Sequence, residues 1–215
     1  MKEKIDNLVW EKRFVLDGKK TIAGIDEVGR GPLAGPVVVA CVVMPLSQDK
    51  IIDGVTDSKK LSASKREELY SKILDTATEV TVSMADNDEI DALNILNATK
   101  KCMTDCIASL KTCCDVVFVD AVRLNNTKYP TFSIVKGDYL SYSIGAASIV
   151  AKVVRDRLMT DMDKKYPSYG FAQNKGYGTA KHIQALKKFG PCGIHRKTFI
   201  KNFFQEQIDL FEGTK

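Results

Sequence analysis

Histidine and the usual metal-binding spacings are what this sequence has least of. There are only two histidines, His182 and His195. The six cysteines, Cys41, Cys102, Cys106, Cys113, Cys114 and Cys192, form no Cys-x-x-Cys pair. That argues against a structural zinc site. Cys41 and the Cys113-Cys114 pair lie in or beside apolar runs and read as buried, reduced thiols, a usage that fits a reducing cytosol. The longest apolar run, residues 37–44, is eight residues and too short to span a bilayer. The charged start, Met1-Lys2-Glu3-Lys4, lacks the apolar core of a signal peptide. Internal repeats and low-complexity linkers are missing too. The expectation is a soluble, cytoplasmic protein with no membrane partner.

The 215 residues, 44% of them hydrophobic, suffice for one good core. We expect one domain over residues 1–215, with an α/β core over about 20–165 and a C-terminal helical segment over about 166–215. Nothing suggests an exposed apolar patch, so a monomer is expected. The net charge of +5, from 32 basic and 27 acidic residues, is compatible with a polyanionic partner but does not establish one.

Residues 3–17 read as a short amphipathic helix. Residues 21–28 form a first strand that is apolar on both faces, hence central and covered on both sides. Residues 37–44 form a second buried strand, and Ile51 and Ile52 suggest a third. Ser62 N-caps a helix to about Thr76. Residues 79–84 alternate like a strand. Asp86 or Asn87 caps a helix running to about Lys111. Residues 115–120 and 131–135 are β-prone, 139–165 read as one long helix that starts with small residues, and 179–189 and 197–211 as two shorter ones. Strands that come first as a meander and then alternate with helices predict an α/β fold, a mixed sheet covered by helices on both faces with a C-terminal helical appendage.

Carboxylates end three of these strands: Asp26-Glu27, Asp120 and Asp138. Neighbouring strand ends converge at one edge of an open α/β sheet, the usual place for a site. Adjacent strand residues point to opposite faces, so Asp26 and Glu27 share a site only where the strand ends and turns. Gly29 and Gly31 supply that turn. Four acids without histidine or cysteine favour a hard ion, Mg²⁺ or Mn²⁺. Two such ions ~4 Å apart can activate a water and stabilise the leaving oxygen of a phosphodiester.

Taken together, several stretches make the chain resemble the type 2 ribonucleases H (ribonuclease HII), bacterial in type. They are residues 24–36 around Gly24-Ile25-Asp26-Glu27-Val28-Gly29-Arg30-Gly31, Asp57-Ser58-Lys59-Lys60-Leu61, Val119-Asp120, Lys136-Gly137-Asp138, residues 146–157, residues 166–172, Lys175-Gly176-Tyr177-Gly178-Thr179 and His182. They run in family order over about residues 20–200. The resemblance implies an RNase H-like fold, with Asp26, Glu27, Asp120 and Asp138 as metal-binding catalytic acids. It implies hydrolysis of the RNA strand of RNA–DNA hybrids and cutting 5′ to ribonucleotides embedded in duplex DNA, leaving 3′-hydroxyl and 5′-phosphate ends. It also implies that the Gly29-Arg30-Gly31 backbone and Tyr177 read the ribonucleotide. That is physically sensible, because the 2′-OH is the group that separates RNA from DNA.

Lys59, Lys60, Lys152, Arg155 and Arg157 are candidate phosphate contacts. Ser148 and Lys152 share a helix face and could grip one phosphate together. Both histidines are expected to be structural. Asn174 stands where many relatives carry histidine. With twenty residues before the first strand, the N-terminal platform domain of the related type 3 enzymes is not expected. Two rivals are a non-catalytic hybrid-binding protein and another two-metal phosphohydrolase on the same fold. Finally, Gln207-Ile208-Asp209-Leu210-Phe211 resembles the pentapeptide that docks on the bacterial sliding clamp, an apolar plug led by a glutamine.

Overall fold

The computed structural model describes residues 6–203. In chain order these form α1 (Val9–Leu16), β1 (Ile22–Val28), β2 (Val37–Val43), α2 (Ala63–Thr76), β3 (Glu79–Ala85), α3 (Asn87–Leu93), α4 (Ile95–Ser109), β4 (Val116–Asp120), β5 (Thr131–Ile134), α5 (Gly137–Leu140), α6 (Tyr142–Lys165), α7 (Phe171–Asn174), α8 (Ala180–Phe189) and α9 (Lys197–Ile200). One mixed sheet has the order β3-β2-β1-β4-β5. β1 runs antiparallel to β2 and parallel to β4, and β4 is parallel to β5. The chain divides into two compact units. The first holds the residues up to Val28, with Val38–Met84 and Thr99–Val154; the second holds Gly29–Val37, Ala85–Ala98 and the chain from Arg155 on.

β1 is central to the first unit because both of its faces are apolar. Register puts Gly24 beside Val42 and Phe118, and Ile25 beside Cys41 and Val119. On the first of these faces Ala40, Val42 and Met44 pack with Leu69 and Ile73 of α2 and with Tyr142, Ala146, Val150 and Val153 of α6. Trp10 and Phe14 of α1 extend that layer, Phe14 meeting Phe118 edge-on at 4.9 Å. The opposite face meets α4, whose Cys106 Sγ donates to the Val39 carbonyl. Gly24 explains how α6 lies so close. A Cβ built there would sit 2.1 Å from the Ser143 carbonyl carbon. The small residues that open α6 therefore meet a glycine in the strand.

α1 is tied down by a buried acid. Glu11 Oε1 accepts from the Ser141 hydroxyl (2.6 Å) and the Ser143 amide (2.9 Å), at the start of α6. An anion there satisfies amides that the helix itself leaves without partners. Burial nonetheless pushes the Glu11 carboxyl up.

Several elements differ from expectation. Ile51 and Ile52 form no strand; they follow a short 3-10 helix, Gln48–Lys50. The expected helix to Lys111 breaks at Asn94, which adopts φ 63° and separates α3 from α4. The expected helix 139–165 breaks at Ser141, which is extended and separates α5 from α6. Cys114 is buried as expected but Cys113 is exposed. Of the expected last helix, α9 and a 3-10 turn, Lys201–Phe203, are described. Residues 207–211 lie outside the described residues.

In the second unit Ala34, Met159, Tyr169 and Phe171 form a core, with the Tyr169 and Phe171 rings stacked at 5.4 Å. Asp91 of α3 accepts from the Lys197 and Thr198 amides at the start of α9. The two histidines are buried against each other, Nε2 to Nε2 at 3.1 Å. His182 Nδ1 lies 2.9 Å from the Tyr177 carbonyl, which can only accept, so His182 Nδ1 carries hydrogen. The Cys192 amide donates to His195 Nδ1 at 2.9 Å, so that nitrogen carries none. A single arrangement satisfies both ends: two neutral rings, with His195 Nε2–H donating to His182. The histidines are structural, as expected. Among the described residues no helix is long and apolar enough to cross a membrane.

Two predictions follow from this packing. Gly24→Ala forces α6 off the sheet and should cost on the order of 3 kcal/mol in urea unfolding; an unchanged midpoint would contradict the close approach. His195 is held down to about 4 by burial and by His182 beside it. Its folded value lies below the ordinary one, so its stability contribution is complete above the ordinary histidine range. That contribution is lost as the pH falls through the folded value. Between neutral pH and the folded value, the native protein should lose on the order of 2 kcal/mol more than His195→Gln. Parallel stability profiles would refute this.

Candidate active site

The acids reach one corner of the first unit at the ends of three neighbouring parallel strands. Asp26 and Glu27 end β1, Asp120 ends β4, and Asp138 sits in α5 directly after β5. Ala121, next to Asp120, has φ 49°, and Lys136, two residues before Asp138, has φ 59°. Left-handed backbone at non-glycine residues is uncommon and costs free energy. Here it turns the chain sharply at the end of each strand. The Ala121 amide donates to the Ile134 carbonyl at 3.0 Å, which ties the two turns together. The Gly137 amide then donates to Asp120 Oδ1 at 2.7 Å. A Cβ on Gly137 would lie 2.5 Å from Ile144 Cδ1 and 3.3 Å from Asp120 Oδ1, so a larger residue would have to displace the Ile144 side chain and crowd the carboxylate.

Electrostatics shows that these side chains act on one another. Asp26 is 4% exposed. Burial first, then the charges of Glu27 and Asp120, push its carboxyl well up, against hydrogen bonds from Ser148 and the Glu27 amide. Asp120 is raised by burial and by Asp138. Asp138 is raised by burial and by Asp57. Lys59 Nζ lies 3.6 Å from Asp138 Oδ2. Its partial burial lowers its pKa, but the fields of Asp138, Asp26, Asp57 and Asp120 outweigh that and raise it.

Around the acids the structure adds a support that the sequence reading missed. Asp57 N-caps the 3-10 turn Ser58–Lys60 by accepting the Lys59 amide at 2.9 Å. The Ser58 hydroxyl meets the Ser148 hydroxyl at 2.9 Å, both buried. Ser148, expected on a phosphate beside Lys152, is thus placed inside, between Ser58 and Asp26. Lys152, one turn further along α6, is half-buried. In the stretch 57–61 the lysines carry the sequence signal, while Asp57 and Ser58 hold the turn.

The donor set suits a hard divalent cation. It is carboxylate oxygen throughout, it is partly dehydrated, and its members repel one another until a cation neutralises them. Among the described residues no three His, Cys, Asp or Glu side chains already converge tightly enough to hold an ion. The acids are neighbours in charge rather than a closed cage.

The expected sugar-reading residues belong to the second unit. Gly29 is buried with φ 97°, while Arg30 and Gly31 are exposed. A Cβ on Gly29 would lie 2.2 Å from Arg155 Nε. Gly31 and Tyr177 are brought together, since a Cβ on Gly31 would lie 3.9 Å from Tyr177 Cε1. Tyr177 is 41% exposed. Arg155, expected at a phosphate, is fully buried. Its Nε donates to the Pro36 carbonyl and its Nη groups donate to those of Ala34 and Lys175. Arg196, which the sequence reading passed over, is equally buried and holds the carbonyls of Gly29, Arg30 and Gly35. A single arginine beside His195 gives no sequence signal of such a role.

Residues 23–206 match the family model for Ribonuclease HII. A ribonuclease HII of Ruminiclostridium cellulolyticum is 54% identical over 198 residues, covering 92% of this chain and 77% of that protein. One from Acetivibrio thermocellus is 53% identical over 199 residues, covering 93% and 77%. Among solved structures, the ribonuclease H2 of Pyrococcus horikoshii superposes with a TM-score of 0.73 at 27% identity, covering 86% of this chain and 99% of that one. The ribonuclease HII of Archaeoglobus fulgidus, solved in complex with PCNA, gives a TM-score of 0.71 at 28% identity, covering 82% and 93%. The sheet is therefore the RNase H-like fold. The chain belongs to the ribonuclease HII family of metal-dependent endoribonucleases that act on RNA–DNA hybrids.

Proposed function

We propose that this enzyme cuts the strand on the 5′ side of a ribonucleotide, in long hybrids and at ribonucleotides embedded in duplex DNA, leaving a 3′-hydroxyl and a 5′-phosphate. Asp26, Glu27, Asp120 and Asp138 would hold two Mg²⁺ or Mn²⁺ ions, which when bound supply activation of the attacking water and neutralisation at the leaving oxygen. The observation that supports this most is that the strand-end acids lie in one another's fields: after burial, the charges of Glu27 and Asp120 raise Asp26, and that of Asp138 raises Asp120. Bound cations would relieve that repulsion and draw the acids together.

The remaining residues orient the substrate. Lys59, whose side chain is largely exposed while its ammonium lies in the field of the acids, would meet the phosphate beside the scissile bond. Lys152 would meet a neighbouring phosphate. Ser148 would steady Asp26 through its hydroxyl. Gly29, Arg30, Gly31 and Tyr177 would read the ribose, the backbone through its polar groups and the ring by packing on the sugar. Acting as a cytoplasmic monomer, such an enzyme would initiate removal of ribonucleotides from DNA. The segment Gln207-Ile208-Asp209-Leu210-Phe211 would dock it on a sliding clamp. The sequence motif supports that docking, and the PCNA complex is a property of the archaeal relative.

Asp26→Asn removes a charged ligand and should lower hybrid cleavage about a hundredfold or more. Wild-type rates in that variant would rule out the assignment. Tyr177→Ala should cut cleavage at a single embedded ribonucleotide about tenfold, through the lost packing on the sugar, with less effect on long hybrids. Equal losses on both substrates would remove Tyr177 from sugar reading. Assays on hybrid, singly substituted duplex and all-DNA duplex, with Mg²⁺ or Mn²⁺, also separate this function from its rivals. A hybrid-binding protein cuts none of them, and a phosphohydrolase that does not read the sugar does not distinguish them.

A further inference from the structure

The loop from Gly29 to Pro36 is held by two guanidinium groups buried beneath it. Arg196 Nη2 donates to the Gly29 carbonyl at 2.6 Å and to the Gly35 carbonyl at 2.8 Å. Its Nη1 donates to the Arg30 carbonyl and its Nε to Gly35, both at 3.0 Å. The Arg196 amide donates to the Leu33 carbonyl at 2.9 Å. Arg155 takes the next stretch: Nε donates to the Pro36 carbonyl at 2.8 Å and Nη2 to Ala34 at 3.2 Å. Both side chains are fully buried. Burying a guanidinium on neutral carbonyls is costly. Burial and the neighbouring Arg155 bring the Arg196 guanidinium down to about 9. Such a cost needs a return in structure, and the planar fork of arginine provides it by fixing several carbonyls at once.

Peptide geometry shows what that grip does. In a trans peptide the carbonyl and the following amide point in opposite directions. No described peptide bond is cis. Holding the Gly29 carbonyl therefore aims the Arg30 amide away from the guanidinium. Holding the Arg30 carbonyl aims the Gly31 amide the same way. Arg30 and Gly31 are exposed. A cation behind the carbonyls also polarises these peptides and strengthens their amides as donors. Successive amides pointing out of one loop make a cradle for an oxygen acceptor.

We propose that Arg196 is a positioning residue for sugar discrimination: by gripping the Gly29 and Arg30 carbonyls it aims the next two amides at the ribose oxygen of the substrate. This rests on the reading of Gly29, Arg30 and Gly31 as the ribose reader. Arg155 secures the far end of the loop and the Lys175 carbonyl, but it also packs against Gly29 and has its guanidinium carbon 5.9 Å from the centre of the Tyr177 ring, so it is no neutral comparison. The control is Tyr169→Phe, which removes a hydroxyl that donates to the Gly190 carbonyl at 2.7 Å and so loosens the same unit without removing a bond to the loop.

The test compares Arg196→Lys with Tyr169→Phe on a duplex carrying one ribonucleotide and on a long hybrid, with kcat and KM measured separately. Arg196→Lys should lower kcat/KM on the single ribonucleotide about a hundredfold, since misplacing a positioned group by an ångström has that scale of effect. On the long hybrid the loss should be about tenfold smaller. Tyr169→Phe should leave the ratio between the two substrates unchanged. Proportional losses in Arg196→Lys, or a matching change of ratio in Tyr169→Phe, overturn the proposal. Should Arg196→Lys not fold, native protein without divalent ions gives the answer by amide resonances. The Arg30 and Gly31 amides should shift with the ribonucleotide-bearing duplex and not with all-DNA duplex, while the Arg196 Nη–H groups on the Gly29 and Arg30 carbonyls stay protected from solvent exchange. Fast exchange of those Nη–H groups in the complex overturns the proposal. Amides that do not move at all overturn the ribose reading on which it rests.

Discussion

Repulsion among carboxylates that the fold does not let apart is the constraint on which the first unit depends. Asp26 is fixed by a strand buried on both faces, so it cannot swing into water. Asp120 is pinned by the Gly137 amide, and Asp138 follows one residue later on the same turn. Each turn carries a left-handed residue, Ala121 or Lys136, that relaxed backbone would avoid. Local strain and mutual repulsion are therefore both concentrated at this corner, and both raise the free energy of the unliganded state. A cation would lower it. Backbone strain of this kind clusters at functional sites.

The second unit addresses the opposite electrostatic problem. There two buried cations, Arg155 and Arg196, sit on the carbonyl side of a glycine-rich loop. Glycine is needed where the guanidinium and sulfur groups come too close for a Cβ: Gly29 against Arg155, and Gly35 against Met159 Sδ at 2.4 Å. The loop is then shaped by what lies under it rather than by its own residues. The neutral His182–His195 pair adds a fixed point at the Tyr177 carbonyl.

Much of this was legible in the sequence because it follows from local rules. An apolar run followed by Asp-Glu and a Gly-x-Gly turn reads as a central strand ending at a site. Ser62 caps α2 where its hydroxyl suggests. What was not legible depends on tertiary partners. Asn94 and Ser141 interrupt helical periodicity through backbone angles that periodicity does not record. Ile51 and Ile52 are apolar because they pack beside α2 and α6, not because they pair in a sheet. Arg155 lies in a lysine- and arginine-bearing helix and reads as surface charge; only the fold shows that its carbonyl partners come from the residues 34–36 and 175. Arg196 and Asp57 lie next to residues with stronger signals and were hidden by them.

The central claim is that the four acids form one divalent-ion site. Calorimetric titration of Mn²⁺ into the native protein and into Asp26→Asn, Glu27→Gln, Asp120→Asn and Asp138→Asn, each checked for folding, tests it most directly. Native protein should bind Mn²⁺ and every variant should bind it more weakly, since each loses one ligand charge from a shared site. Unchanged Mn²⁺ affinity across the four folded variants would contradict it.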